Sequence, residues 1–364
     1  MEQSSVLITG GAGFIGSALV RQWLEHEPER VVNLDKLTYA GLRASLAEVA
    51  DHPRHLLVEG DVADAALVRE LLEEHRPQAV LHLAAETHVD RSIDEPPQFA
   101  RTNVLGTCTL LDQATRYWRG LSGDERDCFR FLFMSTDEVF GAAGPNERFT
   151  AESPLAANSP YAASKAAGEH LVHAFAHTYG LPVVTINPTN NYGPRQLPEK
   201  LIPKIVLAAM RQESLPLYGD GLHERDWLHV DDCCQAIRTV LRWGVLGSRY
   251  LVGGDKCLPN LAVVERICEL LDSTLGAGGG ACGELSRADA PARRELIRHV
   301  ADRPGHDRRY AVDSGPLREL GWAPRVDFAQ GLRETVQWYM QNSAWTAAAE
   351  ASLERRNSGE TAAN

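Results

Sequence analysis

The stretch TGGAGFIG, residues 9–16, constrains this chain of 364 residues more than any other. It follows a short apolar run, SVLITG (5–10), and opens a helically spaced one, SALVRQWLEHE (17–27). Gly10, Gly13 and Gly16 recur at every third position. Such a turn needs backbone conformations open to glycine, and it keeps side chains clear of a pyrophosphate. The helix N-terminus then offers N–H groups and a partial positive charge to that pyrophosphate. Asp35 closes a second apolar run, RVVNLD (30–35), 19 residues past Gly16. A carboxylate there accepts hydrogen bonds from a ribose diol and repels a 2′-phosphate, so NAD is expected over NADP. Lys36 weakens that preference slightly. Asp61 and Val62, after a third apolar run, are candidate adenine contacts. A plain helix N-cap at Asp61 competes with that reading.

Apolar runs and helical periods alternate through the first half. HLLVEGD (55–61), AVLHLAA (79–85), FRFLFMS (129–135) and PVVTINP (182–188) read as strands. Helices are expected over 64–75, about 98–117 and 159–180. This alternation predicts an α/β chain with a doubly wound, Rossmann-type parallel sheet. After Pro188 turns multiply, and shorter helices are expected near 198–212, 231–243 and 260–272. We expect a smaller C-terminal α/β substrate-binding domain there, set on the C-terminal edges of the strands. The expected division is 1–188 for the dinucleotide-binding domain and 189–343 for the substrate-binding region, with parts near 226–255 free to rejoin the main sheet. The glycine-rich stretch around 274–290 reads as a flexible surface excursion, and 344–364 as a flexible tail without an apolar face.

Composition narrows the partners. A net charge of −12 argues against a nucleic-acid-binding surface. No apolar run is long enough to span a bilayer, and the N-terminus enters a strand without a signal-like segment. Seven cysteines without a C-x-x-C fit reduced thiols, so a cytoplasmic enzyme without a membrane partner is expected.

Tyr161 and Lys165 are four apart in SPYAASKAAGEH, on one helical face. A nearby ammonium favours phenolate, and a phenolate can take a proton from an alcohol while hydride leaves the same carbon. Alone, Y-x-x-x-K is a common accident; with the glycine turn upstream and a Ser/Thr ending the fifth strand, accident becomes the minority view. His170, His173 and His177 fall on one face of the same helix. By 100° steps that face points away from Tyr161 and Lys165, so packing or solvation is expected there and no metal. FLFMSTDEVFG (131–141) ends a hydrophobic strand in two adjacent acids, Asp137 and Glu138, a costly arrangement unless both have work to do.

Together with LDKLTYAG, LAAETHVDRSI, NNYGPRQLPEKLIP, LYGDGLHERDWLHVDD and ADRPGHDRRYAVD, these motifs resemble the extended short-chain dehydrogenase/reductase superfamily and, within it, the nucleotide-sugar 4,6-dehydratases. The resemblance covers roughly 5–342. Phe140 stands where a tyrosine is usual, and NPTNNYG replaces the commoner NCSNNYG.

The resemblance implies roles for particular residues. Thr136, Asp137 and Glu138 would carry dehydration, and Tyr161 and Lys165 the oxidation step. Besides the glycines, Tyr161 and Lys165, NAD contacts would fall on Phe14, Ile15, Asp35, Lys36, Leu37, Thr38, Asp61, Val62, Leu83, Ala84, Ala85, Thr87, Thr102 and Asn191. Contacts to a nucleotide-sugar substrate, dTDP-glucose ahead of other glucose nucleotides, would fall on Thr87, Thr136, Asn190, Lys200, Leu201, Pro216, Leu217, Tyr218, Arg225 and Asn260. The run Asp302, Arg303, Pro304, Gly305 and His306 would complete them. Arg225 and Arg303 suit a diphosphate, because a guanidinium makes paired bonds to phosphate oxygens. The resemblance also implies a homodimer pairing the helices around 98–117 and 159–180.

The implied reaction oxidises C4 of the hexose, eliminates water across C5 and C6, and returns hydride to C6. Glu138 would be the base at C5 and Asp137 the acid at the C6 hydroxyl. Two competing readings are a nucleotide-sugar 4-epimerase or decarboxylase of the same superfamily, and a non-catalytic NAD-sensing protein. Asp137 discriminates against the first, since epimerases need no acid pair. Retention of all four reacting side chains speaks against the second.

Overall fold

A computed structural model describes residues 4–275 and 291–357. Six strands fill the first half: β1 (Ser5–Thr9), β2 (Arg30–Asp35), β3 (His55–Glu59), β4 (Ala79–His82), β5 (Arg130–Met134) and β6 (Val183–Pro188). Then follow β7 (Asn190–Tyr192), β8 (Leu215–Tyr218), β9 (Glu224–His229), β10 (Arg249–Val252), β11 (Cys257–Pro259) and β12 (Ile297–Val300). The main sheet has seven strands in the order β10-β6-β5-β4-β1-β2-β3. Every pairing in it is parallel, for example Val6 with Val31 on one side and with Ala79 on the other. The expected doubly wound sheet is therefore present. Its strand order reverses at β1, where such sheets open a crevice at their carboxyl ends.

Burial on both faces explains the nearly continuous apolar runs. Val6 and Ile8 of β1 pack with Trp23 and Leu24 of the helix Phe14–His26 and with Cys233, Cys234 and Ile237 of the helix Val230–Trp243. Leu7, from the same strand, faces the opposite core with Val32, Leu110, Leu111, Phe131 and Val172. The adjacent cysteines are thus core side chains. The alternation in β1 follows from the two-residue period of a strand.

Several helix limits differ from expectation, each for a local reason. Asp64, not Asp61, caps the helix Ala65–His75, accepting hydrogen bonds from the N–H groups of Ala66 and Leu67. The N-cap reading of Asp61 is therefore wrong. The helix expected over 98–117 is three segments: Pro96–Phe99, a π-helical stretch Ala100–Gly106, and Thr107–Gly120. Wide π turns carry no simple sequence period and often mark functional positions. The long helix Pro160–Tyr179 is bounded as its sequence suggests. Ser159 Oγ accepts from Ala162 N, and Gly180 ends the helix at φ +78°.

A second layer is built from β7, β9 and β11, from the pair β8 and β12, and from the helices Leu201–Met210 and Asn260–Leu275. Their shared core includes Ile205, Leu215, Val264, Ile267, Phe328 and Tyr339. β10 returns to the edge of the main sheet beside β6.

The flexible tail expected at 344–364 is corrected for most of its length, because residues Ser343–Asn357 form a helix packed on the body. Trp345 and Ala349 are buried in the second core. Trp345 Nε1 donates to Ser45 Oγ at 3.1 Å, and Ser352 Oγ donates to the Tyr39 carbonyl at 3.3 Å. Its docking face sets Trp345 and Leu353 among alanine, serine and threonine, so it is nearly invisible as hydrophobic patterning. Residues 358–364, and residues 276–290 of the stretch expected to be an excursion, lie outside the described residues.

Candidate active site

A cleft opens over the carboxyl ends of the central strands. Its cofactor end is set by the glycine turn. Gly10 has φ +74°, and a Cβ there would stand 2.6 Å from Ala84 N, so the loop after β4 approaches as closely as it does only because residue 10 is glycine. A Cβ at Gly16 would meet the Gly10 carbonyl at 2.0 Å. Asp35 is fixed by two main-chain donors, Ala12 N and Leu37 N, both at 2.8 Å. Lys36 Nζ is bound to Asp61 Oδ2 at 2.6 Å. The lysine that weakened the case for a ribose-binding acid is therefore committed to Asp61.

Lining this cleft are Gly10, Gly13, Phe14, Ile15, Gly16, Asp35, Lys36, Thr38, Asp61, Val62, Leu83, Ala84, Ala85, Thr87, Thr102 and Asn191 from the expected cofactor set. Leu37 is not among them; its contribution is the N–H on Asp35. Thr136, Asp137, Glu138, Tyr161, Lys165, Asn190 and Lys200 share the same cavity.

At the reacting end, Thr136 starts a short 3-10 turn, Asp137–Phe140, and its Oγ1 accepts from Glu138 N at 3.3 Å. The same hydroxyl donates to Asp137 Oδ1 at 3.2 Å. Asp137 is buried and its Oδ2 has no protein partner, whereas Glu138 is half-buried. Their environments separate the two acids. Burial, then the charge of Glu138, pushes the Asp137 carboxyl well above its ordinary range. Burial also raises Glu138, but Arg303, Arg225 and Lys200 oppose that rise. An acid pushed strongly toward its neutral form thus stands beside one that three cations pull the other way, as acid–base chemistry at one pH requires.

The phenol departs from expectation. Burial and then Glu138 push Tyr161 above its ordinary range. Lys165 Nζ sits 4.5 Å from the Phe133 ring centroid, and burial lowers its ammonium to about 8 against the pull of Glu169. In this environment Tyr161 is a neutral phenol, because the acids beside it and its burial decide its state.

The remaining expected substrate residues, Leu201, Pro216, Leu217, Tyr218, Arg225, Asn260, Asp302, Arg303, Pro304, Gly305 and His306, do not line this cavity. Many of them meet in an outer shelf. Asp90 accepts from Tyr218 Oη at 2.9 Å and from Arg303 Nη1 at 3.2 Å. Arg225 is buried over the Tyr310 ring at 4.4 Å and donates to the Asp307 carbonyl at 2.9 Å. Asp302 binds His306 Nδ1 at 2.6 Å and His223 Nε2 at 3.2 Å, with the two imidazoles stacked 3.8 Å apart. Leu217 is a buried core side chain. His170, His173 and His177 are exposed.

Sequence reasoning missed Glu86, Gln98, Ser135, Thr189 and Gln196 on the cavity wall. It also missed Asn103 in the π-helical stretch, which accepts from Glu86 N at 2.9 Å and donates to Ser164 Oγ at 2.8 Å. A lone asparagine in an apolar helical run was the only signal for it.

The glycine turn, the acid ending β2 and the Thr136–Tyr161–Lys165 set define a dinucleotide-dependent enzyme of the extended short-chain dehydrogenase/reductase type. Comparison with known proteins narrows this. The model of the family described as GDP-mannose 4,6 dehydratase matches residues 7–335. The dTDP-glucose 4,6-dehydratase of Xanthomonas campestris pv. campestris (strain B100) is 52% identical over 340 residues, 93% of this chain and 94% of that protein. The dTDP-glucose 4,6-dehydratase 1 of Escherichia coli (strain K12) is 46% identical over 350 residues, again 93% and 94%. Among solved structures, DesIV, a dTDP-glucose 4,6-dehydratase from Streptomyces venezuelae solved with NAD bound, superposes with a TM-score of 0.83 at 43% identity, covering 94% of this chain and 98% of that one. The chain belongs to the GDP-mannose 4,6-dehydratase family of nucleotide-sugar dehydratases.

Proposed function

We propose that this protein is an NAD-dependent hydro-lyase converting dTDP-glucose to dTDP-4-keto-6-deoxyglucose and water. The observation that carries the reading is the pair of acids in unlike settings, Asp137 buried with an unpartnered Oδ2 and Glu138 facing three cations, next to Tyr161 in one cavity. The choice of dTDP-glucose over a GDP sugar is supported by relatives 46% and 52% identical. The cradle fits NAD, since the turn at Gly10 and Gly16 admits no side chain and Asp35 is held ready for a ribose diol. When bound, NAD supplies a hydride acceptor for C4 and a hydride donor for C6.

The chain's own residues do the proton work. Held protonated by its own surroundings, Tyr161 would take the proton of the 4-hydroxyl as phenolate, the form that the positive nicotinamide of bound NAD would favour. Lys165, behind it, supplies the positive charge that offsets the phenolate. The C4 ketone acidifies C5–H, and Glu138 removes that proton. Asp137 donates its proton to the departing C6 hydroxyl, which leaves as water. Glu138 returns its proton to C5 as hydride returns to C6, and the proton that Tyr161 took replaces the one that Asp137 gave, so atoms and charge balance. Lys200, Arg225 and Arg303 would bind the diphosphate, and Tyr218, Asn260 and His306 would contact the nucleotide.

The reading extends to the whole chain. Residues 1–188 act as the cofactor domain and 189–343 as the substrate region. The protein is a homodimer formed through the helices Thr107–Gly120 and Pro160–Tyr179, near which Leu105 stands 56% exposed. Its substrate class and unpaired thiols suit the cytoplasm. No helix among the described residues is long and apolar enough to cross a membrane.

The test is Glu138→Gln with dTDP-glucose. The amide cannot accept the C5 proton, so the variant should oxidise C4 and then stall with the reduced-nicotinamide absorbance persisting. Dehydration should fall by ~10²–10⁴-fold. Near wild-type dehydration by Glu138→Gln would refute the assignment. Steady build-up of free NADH by the wild type would refute the reaction.

A further inference from the structure

Behind the reacting pair lies a buried polar network that the reaction as described leaves unused. Glu169 stands one helical turn past Lys165, on the same face of Pro160–Tyr179, and is 4% exposed. Its Oε1 accepts from Asn187 Nδ2 at 2.6 Å, and its Oε2 is 2.7 Å from Arg249 Nη2. Asn187, fully buried on β6, also donates to the Thr136 carbonyl at 3.0 Å. Arg249, on the edge strand β10, donates to the Ala151 carbonyl at 3.0 Å and lies 5.4 Å from the Phe140 ring centroid. One carboxylate therefore ties together the helix of Tyr161 and Lys165, the start of the Thr136–Glu138 loop, and the edge of the sheet.

Such a group is expensive to keep. A buried carboxylate costs several kcal/mol unless paired, and well-packed apolar side chains often serve stability as well. Cohesion alone therefore does not explain a charge in this place. The charge does suit Lys165. Burial works against the Lys165 ammonium, and Glu169 is the neighbouring charge that works for it. The other titratable or charged groups nearby do not replace it. Tyr161 is neutral and His82 of β4 is held neutral by burial, and neither Asp137 nor Glu138 is among the charges that act on Lys165. Arg249 of β10 is a further cation and faces Glu169.

We propose that Glu169 is a positioning residue for the oxidation step: with Asn187 and Arg249 it registers the Thr136–Glu138 loop against the catalytic helix, and its negative charge keeps Lys165 an ammonium at working pH. This rests on the reading above that Tyr161 and Lys165 drive C4 oxidation, so wild-type turnover of dTDP-glucose is measured first. Absence of wild-type turnover would remove that reading. The remaining comparisons bear on Glu169 alone.

The decisive variant is Glu169→Gln, which keeps the shape and the acceptor for Asn187 and removes the charge. The pH profile of kcat is recorded for both proteins, with bound cofactor and melting temperature as controls. Loss of an opposite charge one helical turn away should move the basic limb of the variant down by about 1 pH unit or more. At pH 7.5 kcat should fall several-fold while KM for the nucleotide sugar holds, and lowering the pH should restore kcat toward wild type. A merely structural role gives an equal loss at every pH, and that result, or an unmoved limb, would overturn the proposal. Arg249→Lys, at a partly exposed position, provides a second measurement should the first variant fold poorly. It keeps both charges and changes only the geometry of the pair, so its basic limb should stay at the wild-type pH. A limb moved downward there would equally overturn the proposal.

Discussion

Asp226→Asn should make the protein more stable near neutral pH, by an amount that grows with pH. Asp226 lies on β9 and is completely buried. Its Oδ1 accepts from Lys256 N at 3.0 Å, and its Oδ2 has no partner. A Cβ at Gly253 would stand 2.4 Å from Oδ2, so the carboxyl is also crowded. Burial, reinforced by the charge of Asp255, raises it from an ordinary 3.8 to about 6 against the pull of main-chain donors. The sign follows from proton counting. Between pH 4 and 6 the folded state holds a proton that the unfolded chain has lost, so the wild type loses stability as pH rises through that window. The full cost is about 3 kcal/mol at ~1.4 kcal/mol per pH unit, and about 2 kcal/mol of it accrues between pH 4.5 and 7.5. Asparagine cannot ionise and can still accept from Lys256. Urea unfolding of both proteins at pH 4.5 and 7.5 should therefore show the stability difference, variant minus wild type, growing by about 2 kcal/mol. Comparing two pH values cancels any constant cost of placing the amide against Gly253. A difference that stays flat within ~0.5 kcal/mol, or that shrinks as pH rises, would refute the assignment of a proton to folded Asp226.

Two other substitutions probe separate parts of the structure. Asp137→Asn removes the acid and keeps the base, so ketosugar formation should drop by ~10²–10⁴-fold while C5–H still exchanges into deuterated water, read by mass spectrometry of recovered substrate. Lost exchange with C4 oxidation intact would mean that the roles of the two acids are reversed. Trp345→Ala empties the anchor of the C-terminal helix and should cost about 3–5 kcal/mol in urea unfolding; an unchanged midpoint would mean that the helix adds nothing to the second core.

What the sequence disclosed depended on the range over which the signal acts. The glycine turn, Asp35 and the Tyr161–Lys165 pair are spelled out within a few residues or one helical period, and so were legible. Helix 343–357 was not, because its docking residues include Ala349 and Ser352, which register as neither apolar face nor polar surface. Nor was the Glu169–Asn187–Arg249 cluster, whose members lie on a helix, a central strand and an edge strand that meet only in the folded sheet.

The adjacent acids show the limit most sharply. Asp137 and Glu138 are neighbours of like charge, and nothing in the local sequence tells one from the other. The 3-10 turn that Thr136 initiates buries the first side chain and leaves the second half-buried. The second then meets Lys200 from the entry to one helix, Arg225 from β9 and Arg303 from the loop after β12, three segments distant in sequence. Those cations also fit a diphosphate, which would neutralise part of their charge when it binds. Their hold on Glu138 would then weaken and its proton affinity rise, making it a stronger base with substrate in place. If Lys200, Arg225 and Arg303 hold the diphosphate, the groups that bind the nucleotide also tune the base.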